Sequence, residues 1–196
     1  MNPRQHPLPI RDWHIVIGGF LQHMGRPHGM IRLWREIRDL SNEYTEVMLL
    51  SWNDNMSHIA EFVWRACEET DGARDAKVRI YGYSWGGSSA VRLARELAAL
   101  GLGVDWLVLS DPVYRHWYKV GRWRAFWPWR RIYIPHNVRN VAWYRQQTNW
   151  PRSHALVWNS QSTHMSGPIT LKVTHQYMDD ALAYHRRAHQ IAAGGC

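Results

Sequence analysis

The stretch Lys77–Gly101, KVRIYGYSWGGSSAVRLARELAALG, decides how the rest of the chain is read. Lys77–Tyr83 reads as a short buried strand, and Gly86–Leu100 repeats small and apolar residues at helical spacing up to a stop at Gly101. Between them lies Gly82-Tyr83-Ser84-Trp85-Gly86, a G-x-S-x-G pentapeptide. A serine held on a sharp strand-to-helix turn has a strained backbone, and its neighbours two residues away must be small. Such a turn lifts Oγ above the sheet edge, at a helix N-terminus that favours developing negative charge. Five residues with two glycines also arise by chance in ordinary Gly-rich turns. The preceding strand, and Gly87-Ser88-Ser89-Ala90 where the helix must pack closely, favour a nucleophile turn here.

Working outward, strand-like and helix-like segments alternate. His14–Ile17 is a β-branched run closed by Gly18-Gly19, and Gly29–Leu40 spaces Met30, Leu33, Trp34, Ile37 and Leu40 as one helix face. Val47–Leu50 is a second strand, ending in Ser51-Trp52-Asn53-Asp54. Ile59, Val63, Ala66, Cys67 and Thr70 form the inward stripe of the next helix. Asp105–Ser110 is a fourth strand, ended by Asp111-Pro112; Val138–Trp143 and Ala155–Trp158 are weaker candidates. Ile169–Thr174 alternates like a late or edge strand, and a last helix carries Tyr177, Ala181, Tyr184, Ala188 and Ile191 on one face. This alternation predicts an α/β fold, a three-layer α/β/α sandwich around a mostly parallel sheet. The length of 196 residues and the lack of a linker fit one domain over 1–196.

A serine nucleophile needs a base, and the base an orienting acid, in the chain order Ser, Asp or Glu, His. Between Ser84 and Met178 the only carboxylates are Glu96, Asp105 and Asp111. Glu96 is mid-helix, and Asp105 sits at the N-terminal end of its strand. Asp111 lies just past the C-terminal end, on the edge where Ser84 belongs; its alternative role is a turn residue before Pro112. His175 follows the Ile169–Thr174 strand and takes the same edge, so it is the expected base, with His164 the runner-up. His185 and His189, inside the last helix, are expected at the surface. Oxyanion donors would be the N–H of Trp85 and an N–H of the loop after the first strand, Phe20 or Gly19. The alternative for Gly18-Gly19 is a plain tight turn.

At these residues the chain resembles a minimal α/β-hydrolase of the esterase, lipase and thioesterase superfamily. The matching features are HIVIGGF, SWNDN, IYGYSWGGSSAVRLARELAALG, VDWLVLSDPV and VTHQYMDD, which span roughly Trp13 to His189. The resemblance implies a Ser84–Asp111–His175 triad, no cofactor, and cleavage of an acyl ester or thioester. Amidase or acyltransferase chemistry with the same triad is an alternative, as is a non-catalytic binder that kept the fold. The family often carries its acid after a later strand than the one ending at Asp111.

Charge is concentrated in one region. From Pro112 to Met178 there is no Asp or Glu, while ten Lys and Arg residues fall there and outweigh the whole net charge of +8. Arg115–Arg131, RHWYKVGRWRAFWPWRR, mixes six of these cations with Trp117, Trp123, Trp127 and Trp129. Within an excursion over about 113–152, this segment reads as a lid or substrate wall, or equally as a packed excursion with solvated arginines. With Trp52, the tryptophans Trp117, Trp123 and Trp127 are candidate substrate contacts. The expected partner is a small or lipid-like acyl substrate, with an anionic interface for the cations. Nucleic-acid binding is the weaker rival, because no nucleic-acid motif accompanies the segment.

Two cysteines make neither a disulfide framework nor a metal motif; Cys67 reads as a core thiol and Cys196 as a loose end. The 12 histidines show no metal cluster of recognisable spacing. The N-terminus lacks the apolar run of a signal peptide, and no uncharged run is long enough for a membrane span, so the expected setting is cytoplasmic.

Overall fold

The computed structural model describes residues 10–20, 22, 28–68, 76–114 and 129–194. Strands β1 (Asp12–Gly18), β2 (Thr45–Ser51), β3 (Lys77–Tyr83) and β4 (Val104–Ser110) alternate with helices α1 (Gly29–Leu40), α2 (Met56–Glu68) and α3 (Trp85–Ala99). Then come β5 (Arg131–Tyr133), β6 (Val138–Gln146), β7 (Ala155–Val157), β8 (His164–Leu171), a 3-10 helix over His175–Asp180, and α4 (Leu182–Ala192). Six strands form one sheet in the order β2-β1-β3-β4-β6-β8, with every pairing parallel. β5 and β7 pair with each other in a separate two-stranded ribbon.

Period-two alternation gives the sheet two apolar faces. Trp13, Ile15, Ile17, Val78 and Ile80 pack with Ala60, Val63 and Leu93 from α2 and α3. Val16, Tyr81, Tyr83 and Val108 pack with Leu33 and Ile37 of α1 and Tyr184 and Ala188 of α4. Helices therefore cover both faces, the three-layer α/β/α sandwich expected of right-handed crossovers. The chain runs from β1 outward to β2, then returns across β1 to β3. The order reverses between β1 and β3, and the crevice beyond the C-terminal ends of strands at such a reversal is where parallel sheets place their ligands.

Several expectations shift. The last inward stripe does not include Tyr177, which is 67% exposed; the 3-10 helix turns Met178 inward instead. β6 runs on to Gln146, within the 113–152 stretch expected as an excursion. That stretch is therefore interrupted by a strand held between β4 and β8. β8 starts at His164, paired with Asn140, so the runner-up base begins a strand at the sheet's N-terminal edge, opposite Ser84. His185 is not a surface residue but is buried beneath α1. Thr70, Trp117, Trp123, Trp127 and Cys196 lie outside the described residues. Among those described, no helix is long and apolar enough to cross a membrane.

Candidate active site

The turn after β3 is built as its glycines predict. Ser84 takes φ 53 and ψ −122, a left-handed conformation that costs a non-glycine residue energy. A Cβ on Gly86 would meet the Ile17 carbonyl oxygen at 2.4 Å, and one on Gly82 would meet Gly87 Cα at 2.8 Å. Only glycines let α3 start this close to the end of β1. Ser84 holds the N-cap position of α3, yet its side chain makes no capping hydrogen bond. Serine at that position ordinarily caps its helix. Here Oγ is turned to His175 Nε2, 2.9 Å away.

His175 begins the 3-10 helix and is held from three sides. Its N–H donates to Asn149 Oδ1 at 2.7 Å, and its carbonyl accepts from the Tyr83 hydroxyl at 2.7 Å. Its Nδ1 lies 2.5 Å from Asp111 Oδ2. Donation from Nδ1 to the carboxylate would leave Nε2 with a lone pair facing the serine hydroxyl. Burial pushes the Tyr83 phenol up, so it stays a neutral donor.

Asp111 is fully buried, with φ 46, in the turn after β4. Its carboxylate accepts from His175, from the Gln146 backbone N–H at 3.2 Å and from Gln146 Nε2 at 3.1 Å. Such donors offset the cost of burying a charge. Gln146 is itself pinned: Nε2 also donates to the carbonyls of Asn149 and Pro151, and Oε1 accepts from the N–H groups of Thr148 and Asn149. Sequence reading missed Gln146, which no motif marks, as well as Asn149 and Tyr83.

The loop after β1 lies against the serine, with a Cβ on Gly19 falling 3.0 Å from Ser84 Cβ. Of the two loop donors expected, the Gly19 N–H is engaged by Gln22 Oε1 at 2.7 Å. Gln22 Nε2 in turn donates to Asp179 Oδ2 at 2.6 Å, which also accepts the Gly29 N–H that opens α1. Burial raises the Asp179 carboxyl above its ordinary value, although these hydrogen bonds pull it down.

Phe20 and Trp52 close one side. Phe20 is 48% exposed and packs on Trp85 and Trp52 at ring separations of 4.6 and 5.7 Å, with Trp52 and Trp85 4.9 Å apart. Beyond Trp52 opens a cleft of about 990 Å³ whose walls include Arg92, Arg130, Arg131 and Trp129. Trp52, named from the sequence as a candidate substrate contact, borders this cleft but is buried by its neighbours.

A serine on such a turn, followed along the chain by an aspartate and a histidine bonded to each other, is the arrangement found on α/β-hydrolase sheets. No protein-family model matches the sequence, and no curated protein matches it. Among solved structures, the chain is similar to RedJ with a PEG molecule bound in its active site. The TM-score is 0.46 at 14% identity, covering 99% of this chain and 94% of that one. It is also similar to the RedJ thioesterase of the prodiginine biosynthetic pathway in Streptomyces coelicolor. There the TM-score is 0.46 at 12% identity, over 98% of this chain and 89% of that one.

Proposed function

We propose that the chain is a serine hydrolase of the α/β-hydrolase type that cleaves an acyl ester or thioester. The observation that carries this reading is the hydrogen-bonded series from Ser84 Oγ through His175 to buried Asp111, beginning at a serine that forgoes capping its own helix. Ser84 attacks the acyl carbon as its proton passes to His175 Nε2, and Asp111 stabilises the imidazolium. The oxyanion is held by the N–H groups of Trp85 and Phe20, because that of Gly19 is already engaged by Gln22. His175 then gives its proton to the leaving oxygen or sulfur. Water, deprotonated by the same imidazole, releases the acid and restores Ser84.

The ledge of Phe20 over Trp85 and Trp52 suits an acyl chain, and Arg130 and Arg131 of the adjoining cleft, whose walls also carry Asp54 and the Arg92–Glu96 pair, suit an anionic part of the substrate. A fluorophosphonate probe tests the reading. Ser84 Oγ displaces fluoride from phosphorus, so wild type gains one adduct in intact mass and Ser84→Ala gains none. Folded wild type that gains no adduct, or a variant that gains the same one, overturns the proposal.

A further inference from the structure

Glu36 on α1 and His185 and His189 on α4 bring three ligand atoms together across the seam between the two helices. His185 Nδ1 and His189 Nε2 lie 2.7 and 2.9 Å from the same carboxylate oxygen, Glu36 Oε2. All three atoms fall within 4.8 Å of one another.

The protons at this cluster are constrained. His185 Nε2 lies 2.8 Å from the backbone carbonyl of Asp179, and a carbonyl can only accept, so Nε2 carries a hydrogen. In a neutral imidazole Nδ1 then bears a lone pair, aimed at a carboxylate oxygen that bears lone pairs too. Two acceptors at 2.7 Å need a cation between them. One added proton on His185, with neutral His189 donating from Nε2, satisfies these contacts; a metal ion ligated by all three atoms does so as well.

We propose that Glu36, His185 and His189 bind a divalent transition-metal ion, with zinc the best match to two imidazoles and one carboxylate. Tetrahedral zinc with bonds of about 2.0–2.1 Å holds its ligand atoms ~3.3 Å apart, so the two Glu36–histidine separations would open by roughly half an ångström while the two histidine nitrogens, within 4.8 Å of each other, settle to the same spacing. His185 is oriented as metal-bound histidines usually are, by its other ring nitrogen donating to a backbone carbonyl. The side chains of Glu36 and His189 are 32% and 38% exposed, which gives an ion a route in and leaves its fourth position to water. Arg32 Nε, 3.5 Å from Glu36 Oε1, engages the oxygen that faces away from the histidines. A bound ion would clamp α4 to α1 next to Asp179, whose carboxylate holds Gln22 and the first N–H of α1. The proposal does not depend on the hydrolase reading.

Untagged, chelator-stripped full-length protein titrated with Zn²⁺ by calorimetry, and with Co²⁺ by visible absorption, tests it. The expected result is one ion per chain at micromolar or tighter affinity, tetrahedral Co²⁺ bands, and a higher Tm at saturating Zn²⁺. In His189→Ala and Glu36→Gln, both altered at partly exposed positions, affinity should fall about tenfold or more. Absence of stoichiometric binding, or binding equal in wild type and both variants, overturns the site and leaves a proton between His185 and Glu36.

Discussion

His175 and His185 each set Nδ1 against a carboxylate oxygen, at 2.5 and 2.7 Å, yet the two surroundings differ in what the second nitrogen of each ring faces. At His175 the carboxylate belongs to fully buried Asp111, fixed by both donors of Gln146, and the far nitrogen faces a hydroxyl that can lose a proton. At His185 the far nitrogen is spent on a backbone carbonyl, and the carboxylate is shared with His189 and about one-third exposed. A histidine beside a carboxylate is therefore not a catalytic signature. What its second nitrogen faces decides whether the ring moves a proton or holds a position.

The largest expected effect separates these two rings. With an activated ester, His175→Ala should lower kcat about 10⁴-fold or more, as removal of a triad base does elsewhere. His185→Gln, which adjoins the site only through the Asp179 backbone, should leave kcat within about tenfold. Equal losses in two folded variants would abolish the distinction.

Gln146 gives an intermediate effect. Gln146→Ala removes one donor to Asp111 and the pin that holds the 148–151 turn, while the backbone N–H at 146 remains. We expect kcat to fall about 10–100-fold with little change in KM, because the acid is misaligned rather than lost. Unchanged kcat would mean that the Asp111 turn and the backbone donor suffice.

The smallest effect concerns His14, a third buried histidine that faces a cation instead of a carboxylate. Arg79 Nη1 donates to its Nε2 at 3.1 Å, and its Nδ1–H donates to the Tyr81 hydroxyl at 2.9 Å. Burial, aided by Arg79, lowers its pKa from 6.5 to about 3. Between those values the unfolded chain binds a proton that the folded chain refuses, so stability falls as pH drops below 6.5. The loss should reach about 1–2 kcal/mol by roughly pH 5, measured by denaturant unfolding. His14→Gln should flatten that slope; a slope unchanged in the variant would assign the acid sensitivity to other groups.

Reading outward from Ser84 captured the alternation of β1 to β4 with α1 to α3, because each segment's period reports its own burial. Scarcity singled out Asp111 as the candidate acid, since few carboxylates follow Ser84, and the structure sets it against His175. His175 was singled out as the residue after a late strand; that strand runs from His164 to Leu171, and His175 meets Ser84 in the structure. His185 was misjudged because a histidine inside a polar-looking helix shows nothing of what lies opposite it. The fate of Gly19 was equally hidden, since Gln22, three residues on, carries no turn or motif signal.

By itself the sequence determined the α/β class, the layering and the strained serine turn. These depend on local matters: period-two and helical burial patterns, and glycines where a Cβ would strike backbone. Tertiary structure alone decided which polar groups meet, as between Gln146 and Asp111, Gln22 and Asp179, and Glu36 and the two histidines of α4. Those partners are brought together by parallel crossovers that join distant segments. The orientation of a side-chain amide or an imidazole follows from the donors and acceptors around it, and these are known only once the layers have packed.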